Sequence, residues 1–194
     1  NFVMQKFTRA CIGTNNIDNC ARTCHGPSVI GLIDTLGSGA MSVSIPGMEQ
    51  ADCIMLIGYN PAASHPIVAG RIVKARERGA KIIVVDPRVI ETARIADIHL
   101  QIKNGTNVAF LNAMANVIVT EGLDDKAFVD AHTEGFEEWL EIVKRYTPEY
   151  SAEICGVDAD AIREAARMYA TADTSIIGWG MGVTQQRQGV HTVH

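Results

Sequence analysis

The chain has 194 residues, 47% hydrophobic and 20% charged, an ordinary globular composition sufficient for one well-buried domain with part of another. Its formal charge of -5 argues against a dedicated nucleic-acid binder, which usually carries a basic face. No apolar run approaches the roughly 20 residues that a membrane span requires, and no N-terminal segment has the layout of a secretion signal, so a cytoplasmic location is expected. Cys11, Cys20, Cys24, Cys53 and Cys155 are an odd number at irregular spacing, which points to free thiols rather than a disulfide framework. The start at Asn1 and the end at His194 without a helix-ending signal suggest a piece of something longer.

Phe2, Val3, Phe7 and Ala10 have helical spacing, followed by the turn-prone Gly13-Thr14-Asn15-Asn16. This segment reads as the end of a preceding element that feeds the loop Cys20-Ala21-Arg22-Thr23-Cys24-His25-Gly26-Pro27-Ser28. Gly26-Pro27 breaks regular structure, so the loop presents Cys24 with an imidazole beside it and a guanidinium two residues back. Cationic neighbours favour thiolate, the form that attacks electrophiles or binds soft metals. On the dipeptide alone, a structural cysteine beside a solvated histidine is the commoner explanation. Cys20 and Cys24 miss the spacing of both the redox and the haem-attachment dicysteine motifs. A short helix is expected from Val29, interrupted at Gly37-Ser38-Gly39.

From residue 52 the pattern becomes regular. Cys53-Ile54-Met55-Leu56-Ile57-Gly58 is a continuous apolar run, as expected of a strand buried on both faces of a parallel sheet. Ser64 is expected to cap the next helix, with Pro66 in its first turn, an apolar face of Ile67, Val68, Ile72 and Val73, and Gly79 as its stop. Lys81-Ile82-Ile83-Val84-Val85 completes a strand-helix-strand unit that ends in Asp86-Pro87-Arg88. A third strand is expected over 98–102, then a helix opened by Asn107, further helices over 125–132, 134–146 and 158–172 with Pro148 and Gly156 as separators, and a strand at Ser175-Ile176-Ile177. The alternation predicts an α/β fold, doubly wound, with a mostly parallel sheet of Rossmann-like dinucleotide-binding topology.

Ligands of such sheets sit outside the carboxyl ends of the strands. Asn60 and Ser64 follow the first strand, Asp86 and Arg88 the second, Asn107 the third, and Gly178-Trp179-Gly180-Met181-Gly182-Val183-Thr184-Gln185 the last. Helix N-termini there offer N–H groups to phosphate, and Asp86 can accept from ribose hydroxyls or a guanine edge. Each feature alone is equally a turn, a cap or a strand stop; their shared location is what suggests a nucleotide-like ligand. Gly58 is not followed by the nicotinamide fingerprint, which disfavours an ordinary NAD dehydrogenase.

Cys24-His25-Gly26-Pro27-Ser28, Gly58-Tyr59-Asn60-Pro61 with Ser64-His65-Pro66, Asp86-Pro87-Arg88 with Thr92-Ala93 and Ala96-Asp97, and Gly178 through Gln185 together resemble the molybdopterin oxidoreductase family. Within it, the likeness is to catalytic subunits of formate dehydrogenases, and it runs through nearly the whole chain in order. The resemblance implies molybdenum or tungsten held by two molybdopterin guanine dinucleotides. Cys24 matches the cysteine or selenocysteine that ligates the metal, and His25 the residue that receives the proton or steers formate. Asn60, Ser64, Asp86, Arg88 and Asn107 match positions that contact one guanine dinucleotide, and Met181 and Gln185 positions against the pterin. Many relatives carry Asp where Asn107 stands, and Ala63 replaces a polar residue of some formate dehydrogenases.

The implied organisation places residues 1–19 at the end of a preceding domain and 20–194 in an incomplete molybdopterin guanine dinucleotide-binding domain. A [4Fe-4S] cluster is expected upstream, and the substrate arginine and second dinucleotide domain downstream. The implied reaction oxidises formate to CO2 and passes electrons to an iron–sulfur centre, with a partner subunit bearing iron–sulfur or flavin centres. Alternatives are a formylmethanofuran dehydrogenase or nitrate reductase of the same family, or a non-catalytic dinucleotide-binding scaffold.

Overall fold

A computed structural model describes all 194 residues. They form two compact units, one of Asn1–Ala40 with Thr184–His194, the other of Met41–Val183. No helix is long and apolar enough to cross a membrane.

The smaller unit begins with α1 (Phe2–Phe7), which continues as one wider turn over Thr8–Ile12 and stops at Gly13 in the left-handed region. A short 3-10 turn, Cys20–Arg22, precedes α2 (Gly26–Leu36). That helix starts three residues before the expected Val29, because Pro27 sits in its first turn, where a missing N–H is harmless and a fixed φ is helical. Gly37 ends it at φ 73°.

In the larger unit the four strands are β1 (Cys53–Ile57), β2 (Lys81–Val85), β3 (Ile98–Leu100) and β4 (Ser175–Trp179). They form an all-parallel sheet, the parallel pairing that the apolar runs predict, in the order β3-β2-β1-β4. After β1 come α3 (Pro61–Ser64) and α4 (Pro66–Glu77); between β3 and β4 lie α5 (Asn107–Thr120), α6 (Lys126–His132), α7 (Phe136–Val143), α8 (Pro148–Cys155) and α9 (Ala159–Ala170). The chain then runs through α10 (Met181–Thr184) into α11 (Gly189–Val193), which packs on α2 in the smaller unit.

Ser64 and Pro148 take other roles than expected. Ser64 closes α3 instead of capping α4, whose N-cap is His65 without a side-chain bond. Pro148, expected only to separate helices, is the first residue of α8, with Thr147 accepting from the Tyr150 N–H as its cap.

Ile54 and Leu56 of β1, with Ile82 and Val84 of β2, pack on Val68, Ile72 and Ala75 of α4. Because strand side chains alternate, Cys53, Met55, Ile57, Ile83 and Val85 point to the opposite face. There α9 lies against β1 and β3 and buries Ile162, Ala165 and Ala166. Both faces are therefore covered, and each large aliphatic side chain so buried stabilises by roughly 1.5–3 kcal/mol. The doubly wound expectation holds.

Asp97 ties three elements at the amino ends of the strands. Its carboxylate accepts from the Ile82 N–H at 2.9 Å, from Arg76 Nη1 at 2.9 Å and from Lys81 Nζ at 3.2 Å. Partial burial pushes this carboxyl up, but the Ile82 N–H, Lys81 and Arg76 together bring it below its usual range. The stability this confers is complete above the unfolded value, near pH 4, and disappears as pH falls through the lower folded value. Asp97→Asn is expected to cost about 1 kcal/mol at pH 7, with the gap to the parent protein closing on acidification below about pH 4, read from thermal melts across pH.

Candidate functional site

The strand order fixes where a ligand crevice lies. The chain steps outward from β1 to β2 and β3, then returns to the other side of β1 as β4, so strand order reverses between β1 and β4. Ligands of such sheets bind outside the carboxyl ends at that reversal. The loops after Ile57 and Trp179 meet there by backbone. Gly180 N–H donates to Ile57 O at 3.3 Å, and Gly182 N–H donates to Gly58 O at 3.0 Å. A Cβ on Gly182 would lie 2.6 Å from Gly58 Cα, and one on Gly180 would lie 2.7 Å from Gly58 O. Gly58 itself has φ +54°. The glycines of this stretch thus allow two chains to touch, and the N–H groups of Gly180 and Gly182 are already bonded.

Six expected site residues belong to this larger unit. Asn60 caps α3, its Oδ1 accepting from the Ala63 N–H, while its Nδ2 donates to Glu91 Oε2 at 3.1 Å and links the loops after β1 and β2. Glu91 lies below its usual pKa because its own backbone N–H and the Asn60 amide bond its carboxylate. Ser64 Oγ donates to Asn60 O at 2.8 Å. Asp86 is buried at 4%, and its Oδ1 accepts from the Arg88 N–H at 2.9 Å; the exposed Arg88 guanidinium stands 3.6 Å from the same oxygen. Asn107, also buried, opens α5 and donates from Nδ2 to Gly182 O at 3.1 Å, which holds the loop bearing the exposed Met181.

Sequence reasoning missed three supports of these loops. Glu91 orients Asn60; His99 Nε2 lies 3.0 Å from Asp86 O; Gln101 Nε2 donates to Pro87 O at 2.9 Å. His99 and Gln101 alternate with buried Ile98 and Leu100, so a polar residue at every second position in and just after a short strand is the signal that could have found them. Thr92 Oγ1, in the 3-10 turn Glu91–Ile95 that carries Glu91, is buried and has no partner.

Cys24, His25 and Gln185 belong to the smaller unit. Asn19 caps the turn before Cys24 by accepting from the Ala21 N–H at 2.8 Å, and Cys24 N–H donates to Cys20 O at 3.0 Å. Arg22 turns away to pair with Asp18 at 2.9 Å, and its hydrogen bond holds the Asp18 carboxyl below its usual range. The cationic influence expected of Arg22 on Cys24 is therefore directed elsewhere. What remains is the positive end of α2, since Cys24 is half-buried and immediately precedes the N-cap, His25. His25 Nδ1 lies 3.0 Å from Ser28 Oγ. The Cys24 carbonyl accepts a hydrogen bond from Thr184 Oγ1. Gln185, next in the chain, is exposed.

The other thiols differ from Cys24. Cys53 and Cys155 are buried, and burial pushes Cys53 up to about 11 and Cys155 upward, so both are poor nucleophiles and ligands. Cys11 and Cys20 are exposed and free. No group of three or more His, Cys, Asp or Glu side chains could hold a metal ion by itself.

The family model for molybdopterin oxidoreductases matches residues 1–194. Formate dehydrogenase H of Escherichia coli strain K12 is 61% identical over 193 residues, covering 100% of this chain and 27% of that protein. The F420-dependent formate dehydrogenase subunit alpha of Methanocaldococcus jannaschii is 52% identical over 193 residues, covering 100% of this chain and 29% of its own. Among solved structures, Acetylene Hydratase from Pelobacter acetylenicus matches with a TM-score of 0.77 at 34% identity, over 86% of this chain and 22% of that one. The chain thus spans less than a third of the length of these relatives. With a family match over every residue and a parallel sheet whose solved neighbour is 34% identical, the chain belongs to the molybdopterin oxidoreductase family.

Proposed function

We propose that this chain is the central part of a formate dehydrogenase catalytic subunit, with residues 20–194 forming part of its molybdopterin guanine dinucleotide-binding domain. The observation that carries the reading is the 61% and 52% identity to two formate dehydrogenases across the whole chain. The residues present suit the cofactor. Thr92 Oγ1 is a buried polar atom without a partner close in sequence to Asp86 and Arg88, as an added hydrogen-bonding group would require. Cys24 is a half-buried thiol at the positive end of a helix, and without a neighbouring ligand cluster a metal there takes its other ligands from outside the chain, as molybdenum or tungsten held by dithiolenes does.

Oxidation of formate releases CO2, one proton and two electrons, and the bound metal with its pterins supplies the two-electron acceptor. Cys24 is the thiolate ligand. His25 would receive the proton or steer formate through Nε2, the ring nitrogen that its contact with Ser28 leaves open. To receive the proton there, it must carry its own hydrogen on Nδ1 and donate it to Ser28 Oγ. Asn60, Ser64, Asp86, Arg88 and Asn107 would hold one guanine dinucleotide, with the Asp86 carboxylate as acceptor for its donors, and Met181 and Gln185 would contribute to the pterin site. The two electrons would leave through an iron–sulfur centre and a partner subunit, neither of which these residues supply. The test is formate-dependent reduction of a viologen dye by the complete subunit, produced anaerobically with its cofactor. Full metal loading without dye reduction overturns the reading, and a panel including nitrate and formylmethanofuran separates the family alternatives.

A further inference from the structure

The smaller unit contains a hydrogen bond that local helix chemistry does not explain. Thr35, Thr120, Thr133, Thr171 and Thr192 each donate from Oγ1 to the carbonyl four residues earlier, the ordinary bond of a helical threonine. Thr184, at the end of α10 and only 2% exposed, donates instead to the Cys24 carbonyl, 160 residues away in sequence. Its carbonyl is closely packed as well. A Cβ on Gly189 would stand 2.3 Å from Thr184 O and 3.3 Å from Pro27 Cβ, so Gly189 sits closely between Thr184 and the start of α2. Cys24 is therefore held at both peptide groups, by Cys20 O on its N–H and by Thr184 on its carbonyl, which leaves rotation of its side chain as the main remaining freedom.

We infer that Thr184 is a positioning residue for Cys24, fixing the backbone from which the thiolate reaches the metal. The inference rests on the proposed role of Cys24 as a metal ligand. A thiolate ligand must hold one bond length and direction, and groups that orient a ligand through hydrogen bonds typically change metal affinity or activity by about 10- to 100-fold when removed. Thr184→Val keeps the shape and loses the donor; Thr184→Ser keeps the donor.

The experiment uses the complete subunit. In Thr184→Val, kcat per bound metal is expected to fall about 10- to 100-fold, with KM for formate within about twofold and a changed metal–sulfur shell in X-ray absorption. Thr184→Ser is expected to restore both. Should Thr184→Val take up no cofactor, alkylation of Cys24 by iodoacetamide in the cofactor-free protein supplies the reading: its rate relative to Cys20 must differ from the parent's, and Thr184→Ser must return it. Parent-like kcat per metal and an unchanged sulfur shell in Thr184→Val overturn the inference while leaving the function reading intact. A Cys24→Ser variant with full activity and an unchanged sulfur shell overturns the ligand role of Cys24 and the inference with it, while formate oxidation itself stands.

Discussion

Cys24→Ser in the complete, cofactor-loaded subunit is expected to lower kcat on the order of 100-fold or more, beyond the effect typical of groups one shell further from a metal. The reason is chemical softness: a serine hydroxyl is a harder, weaker donor to molybdenum or tungsten than a thiolate, and it stays protonated near neutral pH. X-ray absorption at the metal should lose one sulfur scatterer, even where the variant retains its full metal content. Cys11→Ser and Cys20→Ser are the matched controls. Both are exposed free thiols on the same unit, and their removal should leave turnover within experimental scatter of the parent. Cys24 precedes the N-cap of α2 and is fixed through its backbone, whereas Cys11 lies within the wider turn after α1 and Cys20 begins the 3-10 turn. Retained turnover in Cys24→Ser with an unchanged sulfur shell would exclude Cys24 as the ligand.

Much of the fold was legible because burial on both faces leaves a continuous apolar run. β1 and β2 fall within a residue of their expected limits for that reason. β4 is longer than expected, running on to Trp179, because Gly178 and Trp179 continue the pairing with Leu56 and Ile57 of β1. The missing side chain of Gly178 accommodates Leu56, whose Cδ2 a Cβ would approach to 3.1 Å. β3 is shorter, ending at Leu100 where Gln101 turns to bond Pro87. The candidate loops were legible as positions, since strand ends are systematic in this fold class, but not as hydrogen bonds. Asn60 with Glu91, Asn107 with Gly182, and Thr184 with Cys24 join residues 31, 75 and 160 apart, and no local pattern encodes such pairs. Arg22 shows the reverse failure: proximity in sequence to Cys24 suggested influence, and an i,i+4 pair with Asp18 directs it elsewhere.

The glycine stretch after β4 admits two physical explanations with opposite outcomes, and Gly182→Ala separates them. A glycine that faces a phosphate would, as alanine, lower cofactor binding while leaving the cofactor-free protein as stable as before. A glycine that lets two backbones touch would destabilise the protein with or without cofactor. Its added Cβ would meet Gly58 Cα at 2.6 Å and Gly58 O at 2.9 Å, both backbone atoms, so no side-chain rotation can relieve the clash. Separating the chains also strains the bond from Gly182 N–H to Gly58 O and the one from Asn107 Nδ2 to Gly182 O. Overpacking of this kind costs about 1–3 kcal/mol, which for a unit of this size lowers the melting temperature by roughly 2–4 °C per kcal/mol. The control is Gly70→Ala, in the interior of α4 with nothing within 4 Å of the new methyl, expected to stabilise by about 0.5–1 kcal/mol through helix propensity alone. A cofactor-free Gly182→Ala protein that melts with its parent, beside a Gly70→Ala that melts higher, would return the stretch to a phosphate-binding role. The close approach predicts the opposite order: Gly182→Ala lowest, the parent between, and Gly70→Ala highest.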